Sequence, residues 1–86
     1  MKASEAGGLK AGERVIDGIC RVIREQPLLL SKQIDWELGI GVGVTRVTLH
    51  RHGLTLAVLR AQRIKELLSR EEELLNLLNH QAYYGH

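Results

Sequence analysis

Phenylalanine is missing from this sequence, and tryptophan and tyrosine together supply only three residues. Single-strand binders stack bases on aromatic rings, so this scarcity weighs against a base-stacking RNA or DNA module. Cysteine is almost missing as well. Cys20 stands alone, which excludes an intramolecular disulfide, offers no thiolate zinc site and points to a reducing compartment. Long apolar runs are missing too. A stretch such as Leu28-Leu29-Leu30 is far too short to span a bilayer, and nothing apolar follows Met1 to Glu5 that would serve as a signal peptide. The expected setting is the cytoplasm, at the nucleoid, with no membrane partner.

The most informative gap is in charge. Lys and Arg number 12 against 10 Asp and Glu, a net charge of only +2, yet no acidic residue occurs from Leu38 to Lys65. Arg46, Arg51, Arg60, Arg63 and Lys65 all fall inside that stretch, beside His50 and His52. Glu66, Glu71, Glu72 and Glu73 follow it. A basic middle and an acidic end suit a protein of which one face meets phosphate; the plainer reading is a solvated surface whose charges happen to cluster.

What is present is aliphatic. Leu, Ile and Val with well-defined rotamers suit helix-on-helix packing, and a chain of 86 residues builds one domain with a thin core that often needs a partner subunit. Residues 1–11 read as a flexible leader. Val15, Ile16, Ile19, Cys20, Val22 and Ile23 recur at helical spacing, and Pro27 forbids continuation, so a first helix is predicted from Gly12 to Gln26. Gly18 within it marks a close contact. Ser31 is the expected N-cap of a short helix carrying Ile34, Trp36 and Leu38, which Gly39 ends in the left-handed conformation. Trp36 and Cys20 are expected in the core. Thr45 is the next expected cap, opening a helix to His52 that Gly53 closes. The last helical stretch, Thr55 to His80, breaks near Ser69 if Ser69 and Glu72 act as a capping box. Residues 81–86 read as a frayed tail. A second reading of the middle is open: Val47, Leu49, Leu54, Leu56 and Val58 alternate with smaller or polar residues, so His52-Gly53 would turn a β-hairpin over about 44–59, giving an α/β chain.

The segment Gly43-Val44-Thr45-Arg46-Val47-Thr48-Leu49-His50-Arg51-His52 resembles the turn and recognition helix of tetracycline-repressor-type helix-turn-helix proteins, whose turn reads Gly-Val-Ser/Thr followed by Thr-Leu, an aromatic, Arg and His. The likeness covers about ten residues closely and extends loosely to Leu38 and Gly39. It implies a DNA-reading head, with Gly43 at the tight turn and Val42, Val44 and Leu49 packed between two helices. Arg46, Val47, His50 and Arg51 would face the major groove, where Arg46 suits guanine, Val47 a thymine methyl, and His50 and Arg51 phosphates. Thr45 would cap the helix, whose N-terminus can meet a phosphate. The chain departs from that family at Gly39 and Gly41, where a continuous helix is usual, and at His50, where Tyr is usual, and no counterpart of the family's ligand-binding domain is expected in it.

Ile64, Leu67, Leu68, Leu74, Leu75 and Leu78 form a stripe about as wide as a coiled-coil seam, interrupted by Glu71; it pairs two copies or folds back on the first helix. His50-x-His52 is at most half a metal site, Gly39-x-Gly41-x-Gly43 lacks dinucleotide-binding spacing, and no residue pair has catalytic form. The expectation is thus a mainly α, non-enzymatic chain without metal, cofactor or small-molecule ligand. Residues 12–80 form one domain, with a head at 13–53 and a dimerising helix at 54–80. As a homodimer it would bind duplex DNA through Thr45, Arg46, Val47, His50, Arg51, Arg60 and Arg63, as a transcriptional regulator of plasmid, phage or mobile-element type. The alternatives are a protein-interaction module built on the hairpin, and a shape-reading RNA binder.

Overall fold

The computed structural model describes residues 8–84, and side chains as far as residue 80. It has four helices in chain order: α1 (Val15–Glu25), α2 (Ser31–Leu38), α3 (Val44–Arg51) and α4 (Leu56–Tyr84). The fold is mainly α. No strand occurs among the described residues, which removes the hairpin over 44–59. The alternation there is a by-product of short helices, where period two and period 3.6 both fit four or five apolar positions.

The core is where α1, α2 and α3 meet: Ile19, Val22 and Ile23 from α1, Ile34 and Leu38 from α2, and Leu49 from α3. Leu54, Leu56 and Leu59 bring the start of α4 against it. Burying each such side chain contributes roughly 1.5–3 kcal/mol, and six of them make the thin core expected at this length.

The leader differs from expectation. Residues 1–7 lie outside the described residues, but residues 8–11 are docked rather than loose. Leu9 packs on the core, and an added Cβ on Gly18 would come within 2.4 Å of Leu9 Cδ2 and 3.2 Å of Leu38 Cδ2. That is the close contact for which α1 keeps a glycine. Arg21 fastens the same strap: its guanidinium donates to both carboxylate oxygens of Glu13, at 3.1 and 2.9 Å, and to the Gly8 carbonyl at 2.9 Å. The Lys10 N–H donates to Glu13 Oε1 as well, at 3.0 Å. Arg21 first, and then the Lys10 N–H, hold the Glu13 carboxyl at a pKa of about 2.

Three boundaries shift. α1 begins at Val15, because Glu13 is drawn into this strap. Ser31 is the first helical residue rather than the cap; Leu30 holds that position, and its N–H donates to Gln33 Oε1 at 2.8 Å. α4 runs unbroken through Ser69, since its flanking Leu, Arg and Glu are good helix formers and nothing opposes them. Thr55 caps α4, Oγ1 accepting the Val58 N–H at 3.2 Å. Trp36, expected in the core, is 50% exposed, because the inward side of the two-turn α2 is taken by Ile34, Asp35 and Leu38.

Candidate nucleic-acid interface

α2 and α3 are joined by five residues, Gly39 to Gly43. Both ends need glycine: Gly39 has φ +66° and Gly43 φ +87°, a region costly for any residue with a Cβ. Gly39 ends α2 as expected. Val42, expected between the helices, is instead 87% exposed, because it lies in the turn, outside both helices.

The start of α3 is fixed by a residue that the sequence reading overlooked. Asp35, 3% exposed, reaches across the turn from α2. Its Oδ2 accepts the Gly43 N–H and its Oδ1 the Thr45 N–H, each at 2.8 Å. Both oxygens thus satisfy N–H groups that a helix start leaves open, and a carboxylate there also complements the helix dipole. Gly43, not Thr45, holds the cap position. Thr45 is the second helical residue and its side chain is 0% exposed. It therefore does not face a ligand, and two N–H groups of the helix start expected to meet a phosphate, those of Gly43 and Thr45, are held by Asp35. The available signal was position: Asp35 lies between Ile34 and Leu38 on the inward side of α2.

α3 is sharply two-sided. Thr45 and Leu49 are buried, while Arg46, Val47, His50 and Arg51 are exposed. The four residues assigned to the outward face are thus brought together on one accessible surface. Arg46 and His50 border a groove of about 260 Å³ that Ser31, Leu54 and Thr55 help to line, so this face continues towards the starts of α2 and α4.

Arg60 and Arg63 do not join that surface. Arg60 Nε donates to the Pro27 carbonyl at 2.8 Å, and its terminal nitrogen donates to the Leu29 carbonyl. Arg63 Nε donates to the Arg24 carbonyl at 3.0 Å, and its side chain is only 16% exposed. These two arginines, assigned to nucleic acid, instead satisfy carbonyls at the end of α1 and in the following loop. They clamp α4 to the head. A partly buried carbonyl left without a donor carries a desolvation penalty, and Arg60 removes it for Pro27 and Leu29.

The Leu67 to Leu78 stripe projects beyond the head. Leu67, Leu68, Leu74, Leu75 and Leu78 are exposed, as is Leu77, and Ile64 is half-buried. The stripe does not fold back on α1; α1 and α4 meet nearer the head, where Arg63 donates to the Arg24 carbonyl and Arg24 pairs with Glu66 at 3.6 Å, beside a groove lined by Cys20, Ile23, Leu59 and Gln62. Partial burial there raises the Cys20 thiol pKa, aided by Asp17, in keeping with a filler rather than a reactive group. Among the described residues no group of three or more His, Cys, Asp or Glu converges on a metal-sized site, and no helix is long and apolar enough to cross a membrane. No family model, curated protein or solved structure matches the chain.

Proposed function

We propose that this protein is a small sequence-specific DNA-binding regulator, of plasmid, phage or mobile-element type, that presents α3 to the major groove. One observation carries the reading: α3 buries Thr45 and Leu49 and exposes Arg46, Val47, His50 and Arg51, in a stretch without an acidic residue from Leu38 to Lys65. A short helix with its inner face fixed by a core and its outer face carrying Arg, Val, His and Arg suits direct readout of base edges. Asp35 adds support, because a capped and anchored helix start holds Arg46 in a defined direction.

The test begins with selection of bound duplexes from a randomised pool, followed by titration on the selected and scrambled duplexes. Arg46→Ala is expected to cost about 1–3 kcal/mol on the selected duplex and to relax choice at one base pair. Arg51→Ala is expected to weaken both duplexes alike and to reduce the salt slope by roughly one. With Arg60 and Arg63 engaged by carbonyls, log affinity should fall with log salt at a slope of about −2 to −3 per protomer. Absence of binding to any duplex at low salt overturns the proposal.

A further inference from the structure

Cationic side chains line one groove along α4 and another beside α3, and the two differ in what accompanies the cations. Along α4, Arg24, Lys65 and Arg70 share their groove with Glu66 and Glu73, and Arg24 pairs with Glu66 at 3.6 Å, so the charge is offset from within. The groove of about 260 Å³ beside α3 has no carboxylate in its lining. Three parts of the fold meet there: Ser31 opens α2, Arg46 and His50 lie on α3, and Thr55 immediately precedes α4. Among the described residues no hydrogen bond or ion pair engages the side chains of Ser31, Arg46 or His50. Thr55 Oγ1 accepts the Val58 N–H, which leaves the hydroxyl proton to donate elsewhere.

The groove is thus lined by groups that can all donate. A guanidinium only donates, a hydroxyl donates as readily as it accepts, and a charged imidazole donates from both nitrogens. Their complement is a compact oxyanion, and phosphate oxygens accept several charge-assisted bonds at once. We infer that this groove holds a phosphate group on Ser31, His50 and Thr55, and that binding draws a proton onto His50. The inference rests on the DNA-binding reading in one respect: the phosphate belongs to the duplex backbone beside the base pair met by Arg46. Imidazole is the side chain that ordinarily changes charge between about pH 5 and 8. A neighbouring anion favours its charged form. Nothing lining the groove plays that part, since α2 brings Ser31, the segment before α4 brings Thr55, and Arg46 carries the same sign as the imidazolium. The phosphate itself supplies the negative charge. Proton uptake and phosphate binding are therefore linked, and affinity rises as pH falls.

The test uses the full chain and the selected duplex at constant ionic strength, with circular dichroism verifying that each variant keeps its helices. Affinity is expected to rise about tenfold per protomer from about pH 7.5 to about pH 5.5. His50→Gln should flatten that dependence, His52→Gln should keep it, and Ser31→Ala should weaken binding roughly threefold or more. By NMR, the His50 ring should titrate about one pH unit higher in the complex than in the free protein. Replacing backbone phosphates one at a time by neutral methylphosphonate should abolish the pH dependence at one position, which assigns the phosphate to the duplex. If no position does so while millimolar inorganic phosphate raises the His50 titration of the free protein, the groove stands and its source in the backbone is overturned. Duplex binding of equal strength at both pH values, with the His50 titration unmoved by duplex and by inorganic phosphate, overturns the inference and leaves the DNA-binding reading standing. So does pH dependence that survives in His50→Gln. If no duplex binds at all, the DNA-binding reading fails, and the inorganic-phosphate titration of His50 alone decides the groove: a rise supports it and an unmoved titration overturns it.

Discussion

The head and the outer half of α4 are built from the same aliphatic residues and use them in opposite ways. In the head, Ile19 and Ile34 are wholly enclosed and Val22, Ile23, Leu38 and Leu49 nearly so. From Leu67 to His80 leucines are denser still, six in 14 residues, and every one of them is exposed. Arginine divides in the same manner: Arg60 and Arg63 are spent on carbonyls of the head, whereas Arg46 and Arg51 face solvent. Residue type alone therefore does not separate what holds this chain together from what it offers to others. Position relative to the enclosed core does, and the two halves should respond differently to substitution.

The largest expected difference is at Asp35. Asp35→Ala leaves the N–H groups of Gly43 and Thr45 without their acceptors, at the point where the turn and α3 are defined. Charge-assisted hydrogen bonds contribute about 1.5–3 kcal/mol each, so a loss of roughly 3–5 kcal/mol is expected, a large share of the stability of a domain this size. A melting temperature lower by roughly 15 °C or more, read by circular dichroism, would show it. Leu75→Lys, placed among exposed leucines, should change the dilute monomer by under about 0.5 kcal/mol. If Leu75→Lys melts the dilute protein as far as Asp35→Ala does, the outer half of α4 is part of the cooperative core and the comparison fails.

Next in size is the division between the arginines. Arg60→Ala strands the carbonyls of Pro27 and Leu29 and loosens α4 from the head. Denaturant unfolding should report a loss of about 1–3 kcal/mol, with DNA affinity preserved for the folded fraction. Arg46→Ala should do the reverse, sparing stability and reducing affinity. A matching loss of DNA affinity in folded Arg60→Ala would place Arg60 back among the phosphate contacts.

A smaller effect comes from the strap. Glu13 has a pKa of about 2 in the folded protein against 4.5 ordinarily, chiefly because Arg21 donates to it. A carboxyl depressed by folding adds stability that is complete above about pH 4.5 and is lost as pH falls from there towards 2. Melting temperature should decline through that window. Glu13→Gln should start lower at neutral pH and decline less steeply; parallel declines for the two proteins would assign the acid sensitivity to other groups.

Much of the fold was legible because it depends on neighbours in sequence. Pro27 stops α1, Gly39 ends α2 with a positive φ, and the spacing of Ile19, Val22 and Ile23 marks the inward face of α1. The outward face of α3 was legible for the same reason, since Arg46, Val47, His50 and Arg51 fall opposite Leu49. What escaped depends on contacts across the fold. Asp35 caps a helix eight to ten residues away, and no local pattern distinguishes it from a solvated acid except its inward position. Arg60 and Arg63 reach carbonyls more than thirty residues distant, so in sequence they look like any cation in a basic stretch. Ser69 with Glu72 satisfies a local rule for a helix start, but a rule of that kind acts only where the helix is interrupted.

The smallest expected effect is at Thr45, and it is the sharpest test of which face of α3 is which. The Thr45 side chain is fully enclosed, and its hydroxyl has no hydrogen-bond partner. A buried hydroxyl without a partner carries a penalty of roughly 1–3 kcal/mol. Valine has nearly the same shape and a similar helix propensity, so Thr45→Val replaces an unsatisfied oxygen by a methyl in the same space. The backbone N–H of residue 45 still reaches Asp35, so the start of α3 is undisturbed. Stability should be unchanged or higher by up to about 1 kcal/mol, a rise of at most a few degrees in melting temperature. DNA affinity should not move, because the group removed never reaches the surface. If Thr45→Val instead weakens binding to all duplexes and lowers the salt slope, the hydroxyl meets a phosphate in the complex. α3 would then have to turn on binding, and the fixed, two-sided helix on which the proposed function rests would be wrong.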